Sequence, residues 1–429
     1  MLTKFFSVLV KSDYSNLLKT DSLSSLLTVS DLTSIRMIMQ PIYIVNGVRS
    51  GFGRLGGSLR DANETELLST ILAEALERSM VAPTEISQHI MGTVVPTNGQ
   101  SAYLARHSGL KAGLSLRSSA LAVNRLCGSG LESVAQGAMT LLLGQSNGAV
   151  ICSGIELMSK IPYLSAGLRW GVRMGHEQLE DALQSALTDT YAGINMGQTA
   201  ENLAKDFDIS REEQDEWALR SQCRAEQAKS FLAGEILSLG VIVDGKEAEF
   251  RSDEGIRGQA VESKLPNMRT AFEADGTVTA GNSSGINDGA SAVVLATEDF
   301  VSRKNLKPLA KIRGFGVAGC RPDRMGMGPS YSLPVALKNS NLTLDDLEIV
   351  EINEAFAAQV LAVLRETPIS KDKVNLRGGA IALGHPLGAS GNRLILTLAR
   401  QLHEDNKQIG AATLCIGGGQ GIAMVIERV

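Results

Sequence analysis

ALAVNRLCGSGLESVAQGAMTLLLGQSNGAVIC, residues 120–152, reads as strand, turn, helix and strand. Ala120–Val123 is a short apolar run. Over Gly128–Leu143, Leu131, Val134, Ala135, Ala138, Met139 and Leu142 recur at three- and four-residue steps, the mark of a helix with one apolar face. Ala149–Cys152 is a second short apolar run. Strand–helix–strand order of this kind implies a parallel sheet covered by helices.

The same alternation extends in both directions. Upstream, Ile42–Val45 reads as a buried strand and Ser50–Gly57 as a glycine-rich turn. Asn63 resembles an N-cap with Glu66 three residues on. It precedes an amphipathic helix through Leu67, Leu68, Ile71, Leu72, Ala75 and Leu76, and Ile90–Val95 is the next strand. Downstream, Ala290–Ala296, Ala310–Gly316, Ile349–Ile352, Ala411–Cys415 and Ile422–Ile426 read as strands. Ser332–Asn339, Ala355–Arg365 and Gly391–Leu402 read as helices between them. The stretch of about 156–283 is less regular. Its one clear helix is capped by Ser210 with Glu213 and runs to about Leu232, where Gly234 stops it. GAVICSGIE at 148–156 and GAATLCIGGGQG at 410–421 both end an apolar strand near glycine, which suggests a duplication.

Composition narrows the classes. A chain of 429 residues implies more than one packed unit. Hydrophobic content of 44% and charged content of 20% are those of a soluble globular protein. A net charge of −5 argues against a nucleic-acid partner. No apolar run reaches the roughly 18 residues that span a bilayer. The five cysteines form no CxxC pair, so a metal site is not expected and free thiols in a reducing compartment are. Residues 1–38 differ from the rest. They are expected to be a disordered tail, or to precede a true start at Met37 or Met39, rather than to be a targeting segment, because Asp13, Asp21 and Asp31 are unlike a transit peptide.

Four motifs carry chemistry. In NRLCGSG, Asn124–Gly130, Cys127 sits where a strand gives way to a helix. A helix N-terminus favours an anion, so the thiol pKa is expected to fall, and Gly128 and Gly130 to leave room for a substrate carbonyl. A buried structural cysteine is the alternative. In GGAIALGHPLGASGNR, Gly378–Arg393, His385 lies in a glycine-rich loop, either as a base or as a histidine bonded to backbone. In CIGGGQG, Cys415–Gly421, a second cysteine faces a glycine run that offers an oxyanion hole or only a tight turn. In NEAFAA, Asn353–Ala358, Asn353 either caps the next helix or orients a water.

Together these motifs resemble the thiolase family, as does AGNSSGINDGA, Ala280–Ala290, and the resemblance covers about residues 40–429. It implies an α/β thiolase fold of two similar halves, layered α–β–α–β–α, each half a mixed sheet, with an inserted lid. The halves are expected at 39–157 with 287–309 and at 310–429, with the lid at 158–286. It implies Cys127 as the nucleophile that takes up the acyl group, His385 as the base that activates it, and Cys415 as the acid/base at the acetyl α-carbon. Asn353 would hold an oxyanion-hole water, and the Gly417 N–H would form a second oxyanion hole with that of Cys127. Arg257 and Ser284 match positions that contact coenzyme A, and Met325 and Phe356 match pocket walls.

The implied reaction is thiolysis of a 3-ketoacyl-CoA to acetyl-CoA and a shortened acyl-CoA, and its reverse, the condensation of two acetyl-CoA. Coenzyme A serves as a substrate, and no cofactor is bound permanently. A homodimer or homotetramer is expected, in the cytoplasm or else the mitochondrial matrix, without nucleic-acid or membrane partners. Asn195, where many short-chain biosynthetic members carry His, and Arg377, where Asn is frequent, leave chain length open. A ketoacyl synthase of the same fold would lack Cys415. A non-catalytic acyl-CoA-binding relative would be expected to lose Cys127 or His385.

Overall fold

A computed structural model describes residues 40–146, 148–243 and 245–429. The segment 1–38 that the sequence sets apart lies outside them. The elements that position the site are β1 (Ile42–Ser50), α1 (Glu64–Ser79), β2 (Gln88–Gly92), β3 (Ser119–Val123), α2 (Ser129–Leu142), β4 (Ala149–Leu157), α3 (Met196–Asp206), α4 (Arg211–Gln227), β5 (Asn287–Thr297), β6 (Ala310–Gly319), α5 (Gly328–Ser340), β7 (Ile349–Ile352), α6 (Ala357–Glu366), α7 (Leu387–Glu404), β8 (Ile409–Ile416) and β9 (Gln420–Arg428).

These strands run in the order β7-β8-β9-β6-β1-β5-β4-β2-β3. In the first half, β1 pairs antiparallel with β5, β5 antiparallel with β4, and β4 parallel with β2. In the second, β6 pairs antiparallel with β9, β9 antiparallel with β8, and β8 parallel with β7. The pattern is the same twice, and β4 and β8, which hold the two similar sequences, occupy equivalent places. Between the two halves the sheet is continuous through Tyr43↔Lys311 and Ile44↔Ala310.

The sheet is therefore mixed, not parallel as local alternation suggests. The antiparallel partner of β1 is β5, which the chain delivers only after the long middle segment, and strand direction of that origin leaves no local trace. β4 and β5 are buried along their whole lengths, so both faces are covered and the runs are continuously apolar.

The core is layered accordingly. α1 packs Leu68, Ile71 and Leu72 on one outer face of the first half. Leu131 and Val134 of α2 and Leu394 and Leu398 of α7 share one cluster with Val150 of β4 and Leu414 of β8, so these two helices form the middle layer. Leu333 of α5 and Val360 of α6 cover the far face of the second half. Arg49 is fully buried and compensated: Nε donates to Glu235 (2.8 Å) and the two Nη groups to Asp253 (2.6 and 2.9 Å).

Several boundaries differ from expectation. Asn63 does cap α1, its Oδ1 accepting from Glu66 N at 3.1 Å. The helix expected from Ser210 to Leu232 is two helices, Arg211–Gln227 and Lys229–Ala233, with the break at Ala228. α3 was not expected, although Asn195 and Gln198 make a full capping box at its start. β2 stops at Gly92 instead of running to Val95, because the N–H groups of Val94 and Val95 leave the ladder for the Glu156 carboxylate (3.1 and 3.0 Å).

Candidate active site

Cys127 stands just ahead of α2, on a turn held in an unusual shape. Leu126 has φ of +46°, a conformation that costs a leucine about 1–3 kcal/mol unless its surroundings enforce it. The enforcement is visible. Asn124 donates from Nδ2 to Val94 O (2.9 Å) and accepts from Leu126 N through Oδ1 (2.9 Å). Ser129 Oγ accepts from Arg125 N (2.9 Å) and donates to Leu126 O (2.7 Å).

The N–H groups of Gly417 and of Cys127 itself point at the Cys127 sulfur. They lower its pKa, but burial outweighs them and pushes the thiol up to about 11. The expected depression by the helix N-terminus is thus corrected for this half-buried cysteine: two N–H groups do not offset the partial loss of water around its sulfur. Gly130 is also not there for substrate room. A Cβ on it would lie 2.6 Å from Gly388 O and 2.8 Å from Asn392 N, so the glycine lets α2 and α7 touch.

His385 is buried, and its N–H donates to Asn287 Oδ1 at 2.9 Å. Ser390 Oγ donates to Pro386 O (2.8 Å), so it accepts from His385 Nδ1 (2.6 Å). That assignment puts the ring proton on Nδ1 and makes Nε2 the acceptor. Asn353 Nδ2 lies 3.3 Å from Nε2, aimed at its lone pair. Burial lowers the His385 pKa to about 3, and Arg393 adds to the same effect.

Asn353 does not cap the helix that follows. α6 begins at Ala357 with Phe356 in the cap position, and the Asn353 N–H is held by Thr413 O (2.9 Å). Its Oδ1 is buried and has no partner among the described residues. Glu354 does the structural work here. It accepts from Trp217 Nε1 (3.1 Å), Ser221 Oγ (2.6 Å), Asn375 Nδ2 (2.8 Å) and Ile381 N (3.2 Å), tying α4 to the loops around His385.

Cys415, near the end of β8, is buried, and its thiol is pushed well above the usual cysteine range by burial, then by neighbouring Cys127 and Cys320. Met325 and Phe356 belong to its apolar cluster, and Phe272 meets Phe356 edge-on at 6.0 Å. A cavity of about 230 Å³ runs from exposed Arg257 past Val261, Leu265 and Met268 to Asn287 and Gly384, next to His385. Apolar side chains, with the exposed guanidinium groups of Arg54 and Arg257 also in the lining, suit an elongated ligand with an anionic end. Ser283 and Gly285 line it, whereas Ser284 does not and turns its N–H to Ala355 O (2.9 Å).

The structure thus joins Cys127, Gly417 and Cys415 at one point and pairs Asn353 with His385, while Arg257 stands at the far end of the cavity. Sequence reasoning missed Ser390, Asn287 and Glu156. Ser390 had a signal, a hydroxyl five residues after the histidine in the same glycine-rich loop. Asn287 had none in its local pattern.

Residues 42–299 match the family profile described as thiolase, N-terminal domain, and residues 306–428 that described as thiolase, C-terminal domain. The chain is 41% identical over 393 residues to the mitochondrial 3-ketoacyl-CoA thiolase of Homo sapiens, across 91% of this chain and 99% of that one. It is 44% identical over 395 residues to a probable acetyl-CoA acyltransferase of Staphylococcus epidermidis, again across 91% and 99%. The crystal structure of the human mitochondrial 3-ketoacyl-CoA thiolase in complex with CoA superimposes with a TM-score of 0.88 at 41% identity, covering 92% of this chain and 99% of that one.

Proposed function

Because the chain belongs to the thiolase family, we propose that Cys127 is its nucleophile, His385 the base that takes the Cys127 proton, and Cys415 the acid/base at the acetyl α-carbon. The chain is an acyltransferase. It splits a 3-ketoacyl-CoA with coenzyme A into acetyl-CoA and a shortened acyl-CoA, and in reverse condenses two acetyl-CoA.

Near neutral pH Cys127 and His385 both start uncharged, so the thiol gives its proton to the unprotonated Nε2, displacing the Asn353 amide from it, as sulfur attacks the keto carbon. The imidazolium so formed is stabilised by Ser390 through Nδ1. Negative charge that develops on the keto oxygen is met by backbone N–H groups, a role we assign to Gly417 and Cys127, whose N–H groups turn from the sulfur to that oxygen once the sulfur is bonded. The carbon–carbon bond then breaks, the electron pair passes to the acetyl-CoA enolate, and the Cys415 thiol protonates its α-carbon. The thiol of a second coenzyme A gives its proton to the Cys415 thiolate and displaces the acyl group from Cys127, which recovers its own proton from His385, and the ping-pong cycle closes. Asn353 orients His385, and its Oδ1 is an acceptor open to a water. Arg257 stands where the phosphate end of coenzyme A would rest.

The convergence of the Gly417 N–H and the Cys415 thiol on the Cys127 sulfur carries this assignment. The test is cleavage of acetoacetyl-CoA and a medium-chain 3-ketoacyl-CoA by wild type, Cys127→Ala and Cys415→Ala. Cys127→Ala should form no acyl-enzyme. Cys415→Ala should still take an acetyl group from acetyl-CoA yet lose about 10²–10⁴-fold in condensation. An acyl-enzyme in Cys127→Ala would overturn the assignment of the nucleophile. A homodimer or homotetramer working in the cytoplasm completes the reading, supported by the outer edge of β3, which pairs with no strand among the described residues, and by five cysteines that form no disulfide.

A further inference from the structure

Glu156 lies near the end of β4, is 2% exposed, and points its carboxylate at backbone alone. Oε2 accepts from Val94 N (3.1 Å) and Gly388 N (2.9 Å), and Oε1 from Val95 N (3.0 Å). Among the described residues no lysine or arginine pairs with it. A buried carboxylate is costly, so three N–H groups from two separate segments imply a connection worth that cost.

Each segment leads to one reacting group. Val94 O accepts from Asn124 Nδ2 (2.9 Å), and Asn124 Oδ1 accepts from Leu126 N (2.9 Å), next to Cys127. Gly388 is the second residue of α7, and Ser390, two residues on, accepts from His385 Nδ1 (2.6 Å). The N–H groups of a first helical turn have no partner within the helix, so Glu156 also caps α7 from outside. There is no slack to absorb a shift: a Cβ on Gly154 would lie 1.9 Å from Gly388 O.

We propose that Glu156 is a positioning residue that fixes the Cys127 turn of the first half against the His385 loop of the second. It touches neither sulfur nor imidazole by hydrogen bond and acts through Val94–Asn124 on one side and Gly388–Ser390 on the other. The proposal rests on the reading of Cys127 and His385 as nucleophile and base. A Gln at 156 keeps the size but presents an NH2 group to N–H donors, so one arm of the clamp must let go. Burial pushes the Glu156 carboxyl up to about 8 against the three N–H groups that lower it, and an Asp keeps the carboxyl group but is one methylene too short to reach both segments.

The test compares wild type, Glu156→Gln, Glu156→Asp, Asn124→Ala and the double variant Glu156→Gln/Asn124→Ala as full-length, folded proteins. Two quantities are read: thiolysis, split into kcat and KM for CoA, and alkylation of Cys127 by iodoacetamide, followed by peptide mass spectrometry. Displacement of reacting atoms by an ångström costs about 10²-fold in rate, so kcat should fall by about that factor in both Glu156 single variants. KM for CoA should stay within about twofold, because the cavity does not include Glu156. Cys127 alkylation should change in parallel with kcat. The double variant should lose less than the product of its single losses, since Asn124 and Glu156 act on one chain of contacts.

Wild-type kcat per folded molecule in both Glu156 variants, or strictly multiplicative losses, would overturn the proposal. Wild type that cleaves no 3-ketoacyl-CoA would instead refute the reading beneath it. The alkylation comparison would then still judge Glu156: unchanged reactivity of Cys127 in both variants would overturn the clamp as well.

Discussion

At the scale of the residue, the site departs from the usual picture of an activated cysteine. The Cys127 thiol stands at about 11 because burial penalises its anion, and His385 stands at about 3 because burial penalises its cation. Both shifts favour the neutral pair. For an acid whose pKa is raised, the protonated form persists until the pH approaches the new value, and the thiolate fraction below it falls tenfold per unit. Iodoacetamide reacts with thiolate. The rate of Cys127 alkylation in the free enzyme should therefore rise about tenfold per pH unit from 7 to 10, without a plateau. Peptide mass spectrometry separates Cys127 from half-buried Cys223 and Cys320. A plateau reached near pH 7 would mean a preformed thiolate–imidazolium pair and would refute this account.

At the scale of the element, α2, which follows Cys127, and α7, which follows His385, meet at Gly130. Gly130→Ala tests that contact. Alanine is favoured over glycine inside a helix by up to about 1 kcal/mol. Against that, its Cβ would meet the backbone of Gly388 and Asn392 at 2.6 and 2.8 Å, and overpacking against groups that cannot rotate away costs about 1–3 kcal/mol or more. The clash should win. A denaturant midpoint lower than wild type, with reduced thiolysis in the folded fraction, is the expected outcome; a midpoint equal to or above wild type would show that the helices have room.

Legibility in the sequence follows the same division. Elements whose apolar period matches their burial were readable, such as α1 with its Asn63 cap, α2 and β7. α3 is less readable because its apolar stripe, Met196, Ala200, Leu203 and Ala204, is built largely from small side chains and is interrupted by Gly197, Thr199 and Asn202. The cysteine and histidine motifs could be found because glycine patches flank them. Glu156 and Asn287 could not, because their partners lie far along the chain and only the fold brings them near. The direction of the Cys127 pKa shift was misread for a related reason: a helix start is visible in sequence, but the depth at which it is buried is not.

At the scale of the whole molecule, the two edges of the sheet are treated differently. The outer side of β7 is covered by its own chain. Val350 bridges Val374, Asn375 N donates to Val350 O (3.0 Å), and the Asn375 side chain both accepts from Ile352 N and donates to Ile352 O (2.8 Å each). At the opposite end, β3 has no partner on its outer side among the described residues, and Leu121 and nearby Leu116 are 41% and 81% exposed. An apolar, unprotected strand edge is a template for pairing unless something covers it. A second copy related by a twofold axis would cover it with the same edge, antiparallel, and so close the assembly at two. Sedimentation equilibrium at micromolar concentration should then find a dimer or a multiple of it. Leu121→Lys places like charges opposite one another across that edge, and it should shift the equilibrium toward monomer while leaving the core of each copy untouched. A monomeric wild type would exclude this use of the edge, and an undisturbed oligomer in Leu121→Lys would move the interface to another face, where exposed Trp170 and Met174 are the next apolar side chains to test.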